Sequence, residues 1–313
     1  MAILIDASHL LHRLVFASQQ AVTENPEFVT HLLLNSIIHN SEIFGASQKN
    51  PIIIAMDSHS WRKKWYEENK SQFIEYKNET YKGKRTKDNS IPWDKIYEIY
   101  NDVTKTINEY SDFKVIKVDG AEADDIIAVA AKYYKKTQDV WIISSDKDFV
   151  QLQTDDNVKV YDPGKKQFKP QIDIEHFKKL HILIGDKSDN ILPVRSRLGE
   201  KTAEKLVKDL DILLQTNPEI RDRYKFNKTL IDLDCIPEHI ENNIIEELNK
   251  PIHTYNAMEL LKVFSKYRLN KLAEEITKFR LRAEQMKTKL NSINDDVKKA
   301  KKFSDATIED FFS

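Results

Sequence analysis

The sequence predicts an α/β protein, with a mainly parallel sheet flanked by helices, followed by a helical C-terminal domain. Three observations support this prediction. Only 6 Gly and 9 Pro occur among 313 residues, and 32% of the residues are charged, a composition typical of helix-rich proteins. Short β-branched runs alternate with longer segments of helical periodicity, as in parallel α/β sheets. After about residue 170 no run of comparable strand character recurs.

The predicted strands of the first half end at acidic residues. Residues 2–6 end at Asp6, residues 51–57 end at Asp57, and the run from 139 leads to Asp146 and Asp148. The helical segments between them span residues 31–44, 91–110 and 122–136. Because parallel strands present their carboxyl ends at one edge of a sheet, we expect these acids to cluster there.

The sequence pattern divides the chain into three parts. A further strand at 158–162 and a turn-rich segment place a boundary near residue 170, giving an α/β core at 1–170. Helical periodicity continues over 171–280, and residues 281–313 form a polar, lysine-rich tail.

Composition limits the possible classes of site. The single Cys235 excludes an internal disulfide and a cysteine-based zinc site, so any metal should be held by oxygen ligands. No apolar run is long enough for a membrane span, and the N-terminus does not resemble a secretory signal, so we expect a cytoplasmic protein. The formal net charge is −1, yet residues 61–87 carry nine Lys or Arg against four Glu.

A second group of acids begins a predicted helix. Glu122, Asp124 and Asp125 suit helix capping, which is an ordinary alternative for any one of them. Together with the strand-end acids, however, they would repel one another strongly unless cations neutralised them. Oxygen ligands favour Mg²⁺ or Mn²⁺, and such a cluster suits two ions that promote phosphodiester hydrolysis.

The segment at 185–191 contributes Asp186 and Asp189, which lie three residues apart at the predicted end of a helix. Alone, this pattern indicates only a turn. In combination with the other acids it could complete a second ion site.

Six motifs occur in the order found in phage and bacterial 5′ nucleases, and the chain resembles members of this flap endonuclease family from residue 1 to about 280. The motifs are LIDAS at 4–8, MDSHSWRK at 56–63, YKGKR at 81–85, EADD at 122–125, SSDKDF at 144–149 and GDKSDN at 185–190. The resemblance implies a PIN-like core, 5′ to 3′ exonuclease and flap endonuclease activity, and ribonuclease H activity.

The resemblance also implies roles for individual residues. One Mg²⁺ site would use Asp6, Asp57, Glu122, Asp124, Asp125, Asp146 and Asp148, some of them through water. Asp186 and Asp189 would serve a second ion, and Mn²⁺ could substitute. Lys82 and Arg85 match cations that meet the scissile phosphate, where positive charge offsets the charge that develops as water attacks.

The basic region is expected to form a helical arch at about 61–100. Arg62, Lys63 and Lys84 would contact DNA phosphates. Interleaved aromatic residues would supply stacking surfaces for bases, namely Trp61, Trp65, Tyr66, Phe73, Tyr76 and Tyr81. An amphipathic helix with a charged outer face is the alternative interpretation.

A helix-hairpin-helix variant is expected after residue 190. Gly199 and Lys201 fit its second half, whereas Arg197 stands where the family has its first glycine. Arg195, Arg197 and Lys201 could hold duplex phosphates. The sequence leaves open whether this turn binds a monovalent cation.

The resemblance suggests partners as well. The substrates would be branched or flapped duplex DNA and RNA–DNA hybrids, handled by a monomer. Ile308, Phe311 and Phe312 resemble tails with which phage replication proteins dock on a sliding clamp. Contact with a single-strand DNA-binding protein is also suggested.

Two alternatives remain. A PIN-like ribonuclease would share the acid-edged sheet but would lack the YKGKR and GDKSDN motifs. A catalytically silent protein that recognises branched DNA would be indicated by loss of an acid, yet every expected acid is present.

Overall fold

The computed structural model describes residues 1–76, 78–83 and 88–281. Within these residues lies a six-stranded sheet in the order β3-β2-β1-β4-β5-β6. Its strands are β1 (Ala2–Asp6), β2 (Ile52–Ala55), β3 (Lys114–Ile116), β4 (Val140–Ile143), β5 (Val158–Asp162) and β6 (Gln167–Phe168). Neighbouring strands are parallel except β6, which runs antiparallel to β5.

Helices surround the sheet and make up most of the described C-terminal half. In the first half they are α1 (Ala7–Ala17), α2 (Gln19–Glu24), α3 (Glu27–Ile43), α4 (Trp61–Asn69), α5 (Trp93–Tyr110) and α6 (Ala123–Tyr134). In the second half they are α7 (Ile174–Ile184), α8 (Glu200–Lys208), α9 (Leu210–Thr216), α10 (Pro218–Ile231), α11 (Glu238–Asn249), α12 (Ala257–Lys266) and α13 (Asn270–Glu274). Short 3-10 helices span Lys70–Gln72, Ile74–Tyr76, Lys147–Leu152 and Ile276–Phe279.

The central strand β1 is apolar throughout because both of its faces are covered. Side chains alternate across a strand, so Ile3 and Ile5 enter one core while Ala2 and Leu4 enter the other. Helices α1, α3 and α5 cover the first face, and α6 covers the second. This double burial explains the absence of polar alternation in β1.

C-terminal helices complete both layers. Helix α12 packs on α5, and α11 packs on α6. Leu260 and Phe264 therefore join the first core, whereas Ile240 and Ile244 join the second. Residues beyond 170 thus contribute to both cores that flank the sheet, and the division into domains stays a prediction.

The predicted fold class is confirmed, with differences at short elements. The sequence interpretation missed β3 and β6, whose three and two residues give little pattern. It also missed α1, which follows β1 without an intervening turn residue. Among the residues described, no helix is both long and apolar enough to span a membrane.

Candidate active site

Acidic side chains meet at the carboxyl edge of the parallel strands. Asp6 is the last residue of β1, and its Oδ1 accepts a 2.8 Å hydrogen bond from the backbone N–H of His9, capping α1. Asp57 follows β2, and its Oδ1 accepts from the Ala123 N–H at 2.7 Å. Asp146 follows β4 and accepts from the Asp148 N–H at 2.9 Å. Each acid is thus fixed where a strand becomes a helix or loop.

A cleft of about 690 Å³ opens between these residues and the segment around 188–189. Its lining comprises Asp6, Ser8, His9, His12, Phe16, Asp57, Lys82, Trp93, Tyr97, Asp124, Asp146, Lys147, Asp148, Ser188 and Asp189. The structure therefore brings together five of the predicted metal ligands from the strand ends and α6, with Asp189 opposite them.

Burial and mutual repulsion disfavour the charged form of several of these acids. Burial, together with the neighbouring Asp57 and Asp146, raises the pKa of Asp6 to about 8. For the same reasons the pKa of Asp148 rises to about 7 and that of Asp124 rises well above its usual value. Such a cluster is stabilised by added positive charge.

Lys82 supplies one such charge. Its Nζ lies 2.6 Å from Glu122 Oε1 and 3.7 Å from Asp189 Oδ2, and its backbone N–H donates to the Asp189 carbonyl at 2.9 Å. Burial opposes ionisation, yet the nearby Tyr81, Glu122 and Asp189 raise the pKa of Lys82 well above its usual value. This lysine therefore remains a cation inside the cleft.

Hydrogen bonds to Asp186 fix the conformation of the segment after α7, residues 185–191. Asp186 Oδ1 accepts from the Ser188 N–H at 2.7 Å and from the Ser188 hydroxyl at 2.5 Å. Asp186 also forms an antiparallel bridge with Ile191. Although burial opposes it, His181 and Lys147 hold the pKa of Asp186 far below its usual range.

The donor atoms present fit a divalent cation. Oδ1 of Asp148 is buried and accepts no hydrogen bond from the residues that the structure describes. Asp148, His181 and Asp186 each offer a ligand atom, and these atoms lie within 4.8 Å of one another. A buried carboxylate oxygen without a donor requires another positive partner, and a metal ion supplies one.

The structure corrects two predictions, that Arg62 contacts DNA and that Asp125 binds a metal ion. Arg62 is 2% exposed, and its Nη1 lies 2.5 Å from Asp125 Oδ1. The other oxygen of Asp125 accepts from Trp61 Nε1 at 3.1 Å and from the Glu122 N–H at 2.9 Å. Both side chains are occupied in a buried ion pair behind the cleft, so neither is available to phosphate or metal.

The predicted stacking surfaces are also corrected. Tyr66, Phe73, Tyr76 and Tyr81 are buried in an aromatic cluster with Phe226 of α10. Trp61 and Trp65 are half-buried, and each packs against apolar residues. The alternation of aromatic and basic residues therefore reflects a packed inner face and a charged outer face for the described part of 61–83.

Other predicted DNA-binding residues lie at the surface. Lys63, Arg195, Arg197 and Lys201 are exposed. Arg197 adopts a φ of 59°, the left-handed conformation that glycine favours. The predicted positions Lys84, Arg85, Ile308, Phe311 and Phe312 lie outside the described residues.

The sequence interpretation missed several residues that lie in or beside the cleft. His9 approaches Asp146 at 3.9 Å, Lys147 approaches Asp186 at 3.4 Å, and His181 lies between Asp148 and Asp186. No sequence signal indicated His181, because it lies in the last turn of α7 whereas Asp186 follows the end of that helix.

The fold and site define an α/β nuclease with an acid-lined cleft at the carboxyl edge of its sheet. Residues 1–180 match the family model of the 5′-3′ exonuclease N-terminal resolvase-like domain, and residues 169–279 match that of the T4 RNase H C-terminal domain. The chain belongs to the 5′-3′ exonuclease family.

Individual relatives agree with this membership. The chain is 29% identical to the ribonuclease H of Enterobacteria phage T4 over 285 residues, covering 82% of this chain and 88% of that protein. It is 30% identical over 287 residues to the 5′-3′ exonuclease of Buchnera aphidicola, covering 88% of this chain and 90% of the relative. The predicted resemblance to the flap endonuclease family is confirmed.

Solved structures share the fold. The T5 D15 protein co-crystallised with metal ions superposes with a TM-score of 0.56 at 18% identity, covering 89% of this chain and 98% of that one. The T5 5′-exonuclease with bound divalent zinc ions also gives a TM-score of 0.56, at 19% identity, covering 87% and 100%.

Proposed function

We propose that the chain is a divalent-metal-dependent 5′ to 3′ exonuclease and flap endonuclease with ribonuclease H activity. Its substrates are branched or flapped DNA and RNA–DNA hybrids, and it hydrolyses phosphodiester bonds near their 5′ ends. The observation that carries this proposal is the convergence of strand-end and helix-start carboxylates with Lys82 in one cleft. The names of the T4 and Buchnera relatives support it.

The metal requirement follows from the acids. Asp6, Asp57, Asp124 and Asp146 would hold one Mg²⁺, with Glu122 acting through water, and Asp186 and Asp189 would serve a second. Asp148, which the sequence assigned to the first ion, has a ligand atom within 4.8 Å of one on Asp186, and we place it at the second ion instead. Mn²⁺ is a chemically suitable substitute. Ions held by these carboxylates would supply an activated water for attack and positive charge beside the leaving 3′ oxygen, and the expected products are a 5′ phosphate and a 3′ hydroxyl.

Protein side chains position the nucleic acid. Lys82 lies among the acids, where its cation would contact the scissile phosphate and offset developing charge. Phe16 is 54% exposed at the cleft wall beside Trp93 and offers an apolar face to a base. The exposed Lys63, Arg195 and Lys201 would hold backbone phosphates further away.

In the cell, this activity would remove RNA primers and adjacent DNA from lagging-strand fragments during phage DNA replication. A monomer would suffice. Ile308, Phe311 and Phe312 would dock on a sliding clamp, and contact with a single-strand DNA-binding protein is a further proposal resting on the family resemblance.

The decisive experiment compares wild type with Asp146→Asn on a 5′-labelled flap duplex and on an RNA–DNA hybrid. Each protein is assayed with Mg²⁺, with Mn²⁺ and with a chelator, and DNA binding is measured in parallel. We expect metal-dependent release of short 5′ products by the wild type alone, with binding retained by Asp146→Asn. Binding without cleavage under every metal condition would instead indicate a silent protein that recognises branched DNA.

A further inference from the structure

A buried imidazole lies beside the acids assigned to the second ion. His181 is in the last turn of α7 and is 1% exposed. Its Nδ1 lies 3.8 Å from Asp148 Oδ1, and its Nε2 lies 3.2 Å from Asp186 Oδ2. The ring therefore bridges two carboxylates from different elements, one after β4 and one after α7.

The two nitrogen atoms of the ring have different partners. Asp186 accepts hydrogen bonds from Ser188 at Oδ1, and its Oδ2 lies 3.2 Å from Nε2, so Nε2–H is the suitable donor to Asp186 Oδ2. This tautomer leaves the Nδ1 lone pair directed toward Asp148. A histidine whose second N–H is held by a carboxylate is the usual arrangement of a metal-ligating imidazole.

The spacing on the Asp148 side fits a shared cation. Two ligand atoms about 2.1 Å from one ion are separated by at most about 4.2 Å, and Nδ1 and Oδ1 are 3.8 Å apart. Asp148 Oδ1 has no hydrogen-bond donor among the described residues. A direct hydrogen bond between the two atoms is excluded at this distance, whereas an ion between them requires only small shifts.

We propose that His181 is a nitrogen ligand of the second divalent ion, binding through Nδ1 beside Asp148 while Asp186 orients the ring. This inference rests on the proposed metal-dependent function and deepens it. Imidazole nitrogen suits transition metals better than Mg²⁺, so the second site prefers Mn²⁺ to Mg²⁺, in contrast to an all-oxygen site.

Pulsed electron paramagnetic resonance of bound Mn²⁺ tests the ligand directly, without measuring activity. The full chain is loaded with Mn²⁺, and the ¹⁴N modulation of a coordinated imidazole is recorded alongside the number of ions bound. We expect this modulation in the wild type and its loss in His181→Gln, with second-site Mn²⁺ affinity lowered at least about tenfold. His176→Gln on the same helix is the control, because His176 pairs with Glu204 away from the cleft.

The two histidines that line the cleft provide a second comparison, which does not depend on the folding of His181→Gln. The double variant His9→Gln/His12→Gln removes the two further imidazoles that line the cleft, and we expect it to keep the modulation. Loss of the signal in this variant would overturn the assignment to His181. Bound Mn²⁺ without ¹⁴N modulation in the wild type would also overturn it but leave the proposed nuclease intact, whereas failure to bind Mn²⁺ would remove the proposed function itself.

Discussion

Replacing Asp6 by Asn should stabilise the metal-free protein and weaken its response to metal. Burial raises the pKa of Asp6 from 3.8 to about 8, so the folded state favours the neutral carboxyl. The stabilisation from that neutral form is complete below about pH 4 and is lost as the pH rises through about 8. Within this window, each increase of one pH unit lowers the free energy of unfolding by about 1.4 kcal/mol.

Between about pH 5 and about pH 8, the free energy of unfolding of the wild type should therefore fall by about 4 kcal/mol relative to that of Asp6→Asn, which is about 1.4 kcal/mol for each of three pH units. Asn preserves the cap of α1, since its side-chain oxygen can still accept from the His9 N–H. The free energy of unfolding is measured by urea denaturation with a chelator, and Asp156→Asn serves as an exposed control. Equal pH dependence of Asp6→Asn and wild type would refute the reasoning.

The same denaturation series with Mg²⁺ tests whether the acid cluster is a binding site. A ligand at about 100 times its Kd stabilises the folded state by about 2.7 kcal/mol. The wild type should gain stability of this order, and Asp6→Asn should gain clearly less because one ligand has lost its charge. A gain of the same size in both proteins would place the metal elsewhere.

Three further substitutions test other parts of the site. Lys82→Ala should lower the single-turnover cleavage rate about 10²-fold to 10³-fold, because it removes the cation beside Glu122, and near-normal turnover would contradict its assigned role. Arg62→Gln should lower the free energy of unfolding by about 3–5 kcal/mol in urea, since it leaves Asp125 buried and uncompensated, whereas the exposed Lys64→Gln should be nearly neutral. Gly185→Ala should destabilise by more than about 1 kcal/mol, because Gly185 has a φ of 75° and an added Cβ would lie 2.4 Å from the Ile191 carbonyl oxygen. Gly199→Ala, with nothing within 4 Å of its Cβ, is the matched control, and similar losses in both variants would argue against the steric explanation.

The sequence predicted the sheet edge well because it depends on local patterns. The apolar runs that end at Asp6, Asp57 and Asp146 indicate strands, and parallel strands have their carboxyl ends at the same edge of the sheet. The gathering of these acids with Asp124 in one cleft agrees with that prediction. Their individual roles as metal ligands stay predictions.

The basic region shows where sequence patterns are ambiguous. A run of aromatic and basic residues is compatible both with a nucleic-acid surface and with a helix whose aromatic face is buried. Packing of Tyr66, Phe73 and Tyr76 against Phe226 decides for the second interpretation in the described part. Phe226 lies about 150 residues away in the chain, so no local pattern could reveal this contact.

By itself, the sequence determined the fold class, the family and the edge at which the acids collect, because strand periodicity and motif order are properties of neighbouring residues. Tertiary structure alone decided which charged groups are available. In the folded protein Arg62 and Asp125 form a buried ion pair, and His181 lies between Asp148 and Asp186. Burial and the identity of distant partners set the charge and accessibility of a side chain, and both arise only when separate elements pack together.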